Sequence, residues 1–218
     1  MSSCQRTLLA LLLALPLTAT PLGAVESAGG NDLGQARETM RGFYGELLEC
    51  MQQGEQLGLE GRRAKLEPAV AEAYDLPLMA AKVLGRHWRS LSDDDKGRWV
   101  DTFRRLTVAT YAERFGAWNG EALTIDDAEA GARGTIVVHT RIERVNAEAV
   151  PVHYRMKARE GRWRVIDVFL NGTVSELALR RSEYGSVIRK DGIAPLIERL
   201  EAKIAAGKAS ADVAADLD

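Results

Sequence analysis

Few side chains in this sequence have the chemistry to hold a metal or move a proton. The 3 histidines are His87, His139 and His153. None stands in an H-E-x-x-H pair or beside a cysteine. His139 and His153 fall in neighbouring predicted strands and can lie close together, but two imidazoles leave a zinc site incomplete, so they read as solvated strand-face residues. Asp93-Asp94-Asp95 directly follow Ser92, with no further acids at the spacing of a cation-binding loop. Three carboxylates in a first helical turn are favoured by the helix dipole, and that is the reading taken. Asp167 is the one acid embedded in an otherwise apolar strand. A buried carboxylate with a raised pKa can act as a base, with Tyr154 as its acid partner. The alternative is a structural aspartate bonded to backbone or to an arginine of the Arg180-Arg181 pair, and the need to satisfy buried polar groups favours it. The sequence contains no G-x-S-x-G elbow, phosphate-binding loop or G-x-G-x-x-G. No catalytic residue, metal or cofactor is assigned.

The N-terminus reads MSSCQR, then TLLALLLALPL, then TATPLGA. A cationic start, a short apolar run and small residues ending at Ala24 have the anatomy of a signal peptide over residues 1–24. The run is shorter than the ~20 apolar residues of a spanning helix. Cleavage there removes Cys4 and leaves Cys50 alone, so no internal disulfide is expected and Cys50 packs as a small apolar residue. The 218 residues are 46% hydrophobic and 28% charged, with a net charge of −2. That balance excludes wholesale disorder and offers no basic field for nucleic acid.

Residues 25–31 read as a small polar linker, 32–208 as a single domain and 209–218 as a flexible tail. Within the domain Met40, Phe43, Tyr44, Leu47, Leu48 and Met51 recur at helical steps from about 32 to 53. GLEGRR breaks the pattern, and a second helix is expected over 62–74. Pro77 fits the first turn of a third, closed by Gly85. Ser92 is a good N-cap for a long helix to about Trp118. This helix carries two apolar stripes, Trp99, Phe103, Leu106 and Thr110, and Val108, Tyr111, Phe115 and Trp118. After Asn119-Gly120 the period falls to 2, giving four strands, 121–130, 134–145, 149–158 and 162–171. Helical spacing returns at Val174, and a last amphipathic helix covers 193–204. Helices, a strand meander and more helices define an α+β fold with a four-stranded antiparallel sheet.

Both halves carry more apolar surface than one shared core needs. The large residues of the stripes and strand faces are the expected wall of an apolar cavity: Met79, Leu84, Phe103, Tyr111, Tyr154, Phe169 and Leu177.

Two ordered sets of residues resemble a known family. The first is Tyr74-Asp75, Met79, Val83-Leu84-Gly85, Trp88, Leu91-Ser92, Phe103 and Thr110-Tyr111. The second is Trp163, Val165, Asp167-Val168, Gly172, Arg181-Ser182-Glu183-Tyr184, Leu196-Ile197 and Leu200. Their order and spacing over 74–200 resemble the MlaC-type toluene-tolerance family of periplasmic lipid-binding proteins. Asn171-Gly172-Thr173-Val174-Ser175 replaces the E-G-V-S of phospholipid-carrying members. With RLTVATYAERF it looks like the hopanoid-associated, HpnM-like branch. The resemblance implies a sheet similar to nuclear-transport-factor-2 folds, packed with a helical subdomain around lipid tails. It further implies a soluble periplasmic carrier of phospholipid or hopanoid, an inner-membrane lipid transporter complex as partner, and an outer-membrane lipid complex as a second. The competing readings are an enzyme on a ketosteroid-isomerase-like sheet using Asp167 and Tyr154, and an envelope scaffold without cargo.

Overall fold

The computed structural model describes residues 24–210, with side chains from Gly29 onward. The leader expected over 1–24 therefore lies outside the described residues up to position 23, and the expected tail lies outside them from 211. Helix α1 (Ala24–Gln52) includes the segment read as a linker and buries Met40, Phe43, Leu47 and Cys50. Helix α2 (Gly54–Ala73) begins earlier than its apolar pattern indicates. The expected break is a single residue, Gly58, whose φ of +59° interrupts the helix without ending it. Helix α3 (Leu76–Leu84) starts at Asp75, whose carboxylate accepts from the Leu78 amide at 3.1 Å. It closes at Gly85, with φ +57°, and a 3-10 turn (Gly85–Ser90) follows.

Helix α4 (Asp93–Arg114) starts as its sequence dictates: the Ser92 hydroxyl accepts from the Asp95 amide at 3.1 Å, with the three aspartates in the first turn. It ends one turn sooner than expected, and Trp118 lies beyond it, 47% exposed. Trp99 is its anchor, fully buried, with its indole N–H donating to the Ala80 carbonyl at 2.9 Å.

The strands are β1 (Ala122–Gly131), β2 (Thr135–Arg144), β3 (Ala147–Arg159), β4 (Arg162–Leu170) and β5 (Val174–Ser175). They form one antiparallel sheet in the order β1-β2-β3-β4-β5, so the expected count of four is corrected to five. Strand β5 has two residues, too few to show a period, and the expected helix start at Val174 absorbed them. It pairs with Leu170 and Phe169 through a turn at Asn171-Gly172, both with positive φ (49° and 72°). Asn-Gly is favoured wherever consecutive turn residues need that conformation. Ser175 then caps helix α5 (Glu176–Asp191), and α6 (Ile193–Ala205) follows.

Register sets the inner face. Ala128 lies opposite Val138, Val138 opposite Tyr154, and Tyr154 opposite Val168, a buried row across four strands. The helices pack on this face. Tyr74 bridges to Val165, the Asp75 amide donates to the Val165 carbonyl at 2.9 Å, and the Asp75 carboxylate meets Arg159 at 3.2 Å. The end of α2 is thus tied to β4, which fixes the helical half over the sheet.

Candidate functional site

Between sheet and helices lies a cavity of about 50 Å³. Ile142, Val152, Tyr154, Val168 and Leu170 form its floor; Phe103, Thr107, Thr110 and Tyr111 of α4 form its roof. Met79 of α3 and Leu177 of α5 close the sides, and Tyr74, Arg114, Phe115, Glu176 and Arg180 complete the lining. Five of the expected wall residues, Met79, Phe103, Tyr111, Tyr154 and Leu177, meet here. Two do not. Leu84 is buried in the core away from the cavity. Phe169 points to the opposite face of the sheet, with the Arg155 guanidinium 4.7 Å over its ring. An irregularity between Arg155 and Met156 leaves Ile166 as an extra residue in β4, which resets the alternation that the sequence pattern follows.

Period 2 marks Val152 with Tyr154, and Ile142 with Val138, so these floor residues were accessible to the sequence pattern. The Glu176 and Arg180 linings were not, because i,i+4 opposite charges ordinarily describe a solvated helix face. Here they form a 2.6 Å ion pair whose side chains are 19% and 8% exposed. Burial opposes the Arg180 charge, but Glu176 and Tyr184 outweigh it and keep the guanidinium protonated.

The phenols in and beside the cavity are all neutral. Burial pushes Tyr44 up to about 12, and raises Tyr74, Tyr111 and Tyr154 as well. They satisfy one another: the Tyr74 and Tyr111 hydroxyls are bonded, the Tyr44 hydroxyl lies 2.6 Å from Thr140 Oγ1 and 3.3 Å from the Tyr154 hydroxyl, and Thr140 donates to the Val152 carbonyl. Such a closed network shows little polarity to a ligand.

The acid–base alternative fails on register. Asp167 lies opposite Arg155, whereas Tyr154 lies opposite Val168 and faces the cavity, so the two side chains leave opposite faces of the sheet. The expected arginine partner is corrected too, since Arg180 is engaged by Glu176. The Asp167 carboxylate instead accepts from Ser175 Oγ at 2.8 Å and from the amides of Val168 (2.9 Å) and Leu177 (3.3 Å). It is the clasp that holds the β5–α5 junction against β4. Burial raises its pKa, while these bonds and Arg155 lower it, and the net shift is upward from 3.8. A raised carboxylate makes the folded state lose stability as pH rises through the range just above 3.8. Asp167→Asn is therefore expected to abolish that decline and to cost less than ~1 kcal/mol at neutral pH, because its amide can still accept from backbone. Asp167→Ala, which leaves the Leu177 amide and Ser175 hydroxyl unsatisfied, should cost ~1–3 kcal/mol. Denaturant midpoints across pH check both.

On the outer face His139 and His153 do meet, Nδ1 to Nδ1 at 3.3 Å, with Glu129 at 3.1 Å from His139 Nε2. No group of three or more ligating side chains suited to a metal occurs among the described residues. Burial first, and His139 second, push His153 below 6.5; Glu129 and a bond to the Gly172 backbone work the other way. The unfolded chain then binds this proton more readily, so stability falls as pH drops below 6.5. Thermal melts at about pH 7 and 5 should show a smaller loss for His153→Gln than for the parent. Equal losses would refute it.

An antiparallel sheet and a helical layer with a mainly apolar cavity between them, bordered by the Glu176–Arg180 pair, define the class of fold. Residues 43–202 match the model of the family described as MlaC protein, and the chain belongs to that family. It is 24% identical over 225 residues to the toluene tolerance protein ttg2D of Pseudomonas putida, covering 97% of this chain and 95% of that one. It is 26% identical over 131 residues to the intermembrane phospholipid transport system binding protein MlaC of Haemophilus influenzae, covering 58% and 61%. The fold matches a phospholipid-binding protein from Ralstonia solanacearum, solved with a phospholipid, with a TM-score of 0.70, 19% identity and coverage of 79% and 98%. No helix among the described residues is long and apolar enough to cross a membrane.

Proposed function

We propose that this protein is a soluble periplasmic lipid carrier, exported by the signal peptide over residues 1–24. It shields the tails of a phospholipid or hopanoid and moves the lipid between envelope membranes. The observation that carries this reading is the mainly apolar cavity between sheet and helices, whose phenols Tyr74, Tyr111 and Tyr154 are neutral. Family membership and the lipid-binding relatives support it. The Asn171–Ser175 segment that resembles the hopanoid-associated branch forms the β4–β5 hairpin, and its neighbours Leu170 and Leu177 both line the cavity. On this reading the segment that resembles the hopanoid-associated branch stands beside the lipid site. An inner-membrane lipid transporter complex, and an outer-membrane complex on the far side, are the partners this reading entails.

Two acyl chains carry roughly 30 methylenes, and bringing them bare through water costs on the order of 24 kcal/mol at ~0.8 kcal/mol each. That exceeds the ~18–21 kcal/mol reached by the tightest noncovalent complexes. A carrier avoids the problem by offering surroundings about as apolar as the bilayer, so that transfer is nearly neutral and reversible. Such a site needs walls and a mouth and no catalytic group.

Native mass spectrometry of protein purified from its host tests the proposal. Bound lipid, identified by its fragment masses, on a mature chain starting near Val25 is the expected result. A chain that arrives empty and takes up no lipid from vesicles overturns it.

A further inference from the structure

The Glu176–Arg180 ion pair lines two spaces at once. One is the cavity above. The other is a smaller pocket of about 30 Å³ between α4, α5 and α6, bounded by Leu106, Tyr184, Leu200 and Ala209. A single turn of α5 is all that separates them. Both spaces are small: a cavity that admits benzene measures ~150 Å³, so a wall must move before either takes an alkyl chain.

Helix α5 is the wall whose fully buried residues are polar, with Leu177, Val187 and Ile188 only partly buried against the core. Its buried residues are Arg180 and Tyr184, a cation and a phenol, whereas α6 buries Leu196, Ile197, Leu200 and Ile204. Leu179, which also borders the second pocket, is 43% exposed. The pair is not explained by stability. Replacing a buried ion pair with apolar residues of similar volume is often neutral or stabilising. A charged pair does, however, resist the passage of an apolar chain until it swings aside, and it re-forms afterwards without a permanent void.

We infer that the two spaces are halves of one lipid site and that the Glu176–Arg180 pair is the septum between them. When α5 moves outward the septum opens, and the end of an aliphatic chain too long for the main cavity enters the α4–α5–α6 pocket. This rests on the lipid-carrier reading and specifies where a long tail ends.

Ala209→Phe fills the second pocket from the segment after α6, and its side chain is not part of the main cavity's lining. Parent and variant are incubated with phosphatidylcholine vesicles carrying either C12 or C18 chains, and bound lipid is counted by native mass spectrometry. The variant should keep C12 loading within twofold of the parent and lose at least fivefold in C18 loading. Should its circular dichroism show misfolding, Leu179→Trp fills the same pocket from an exposed position, and the same loss is expected. The double change Glu176→Gln with Arg180→Met removes both charges and should speed C18 uptake at least threefold. Undiminished C18 loading in a folded pocket-filling variant overturns the shared site. An unchanged uptake rate in the double variant overturns the septum. A parent that loads neither lipid overturns the carrier reading, and this inference with it.

Discussion

Leu177→Trp should reduce copurifying lipid at least tenfold while the protein remains folded. Leu177 stands at the start of α5, half-buried, with its side chain in the cavity and its amide held by Asp167. An indole there occupies the space of about 50 Å³ that a tail must enter. Overpacking costs ~1–3 kcal/mol, and Leu177 is only half-buried, so the low end is expected. For a chain of this size each kcal/mol shifts Tm by ~2–4 °C, so the melt moves by a few degrees. Lipid load and Tm measured on one preparation separate blocked binding from unfolding. A folded variant with its full complement of lipid would show that tails do not lie against this residue. Phe103→Asp is a poorer probe. Phe103 is 2% exposed, lies against Trp99 with its ring tilted and sits under the Arg180 guanidinium, so the new charge would unfold the roof along with the site.

The largest stability effect is expected at Trp99. Its ring meets Phe103 and, edge-on, Tyr184, joining α4 to α5, and its N–H binds the Ala80 carbonyl of α3. Truncation to alanine opens a void among three helices and should cost ~3–5 kcal/mol, a fall in Tm on the order of 10 °C. The donor to Ala80 is lost as well. Trp99→Phe retains much of the packing and mainly forfeits the hydrogen bond, a smaller net loss of ~0.5–1.5 kcal/mol. Chemical denaturation of the two variants checks the ranking. Near-equal midpoints would mean that the ring's volume is not what joins the helices.

How far the sequence carried depended on whether neighbours in the chain were also neighbours in space. The long helix, its Ser92 cap and the four long strands are local patterns, and they emerged with ends wrong by at most about one turn. Strand β5 has no pattern of its own, although Asn171-Gly172 between Leu170 and Thr173 was a hairpin signal that a two-residue strand made easy to pass over. In the cavity, Met79, Phe103, Tyr111, Tyr154 and Leu177 could be named because each is the large residue of a buried stripe. Phe169 faces away from the cavity because the run from Val165 to Leu170 is apolar on both faces, which does not say which face meets the cavity, and the extra residue in β4 decides it. Glu176 and Arg180 were invisible for a different reason. Their pairing is local, but its burial depends on α4 and α6, which no spacing within α5 reveals.

The borders of the sheet have a consequence for how two copies of this protein meet. An open sheet has two edges, and an unpaired edge is a template for another chain's strand. On one side β5 covers only Phe169 and Leu170 of β4, and the rest of that border is met by the helical half, where Tyr74 and Asp75 pair with Val165. On the other side β1 is irregular between Ile125 and Asp127, and Asp126, Asp127 and Glu129 lie along it. The break in register discourages strand addition, and the acids are already held by Arg141, Arg37 and His139. Two molecules meeting edge to edge therefore find each border of the sheet interrupted, at Ile125–Asp127 on one side and by the helical half on the other.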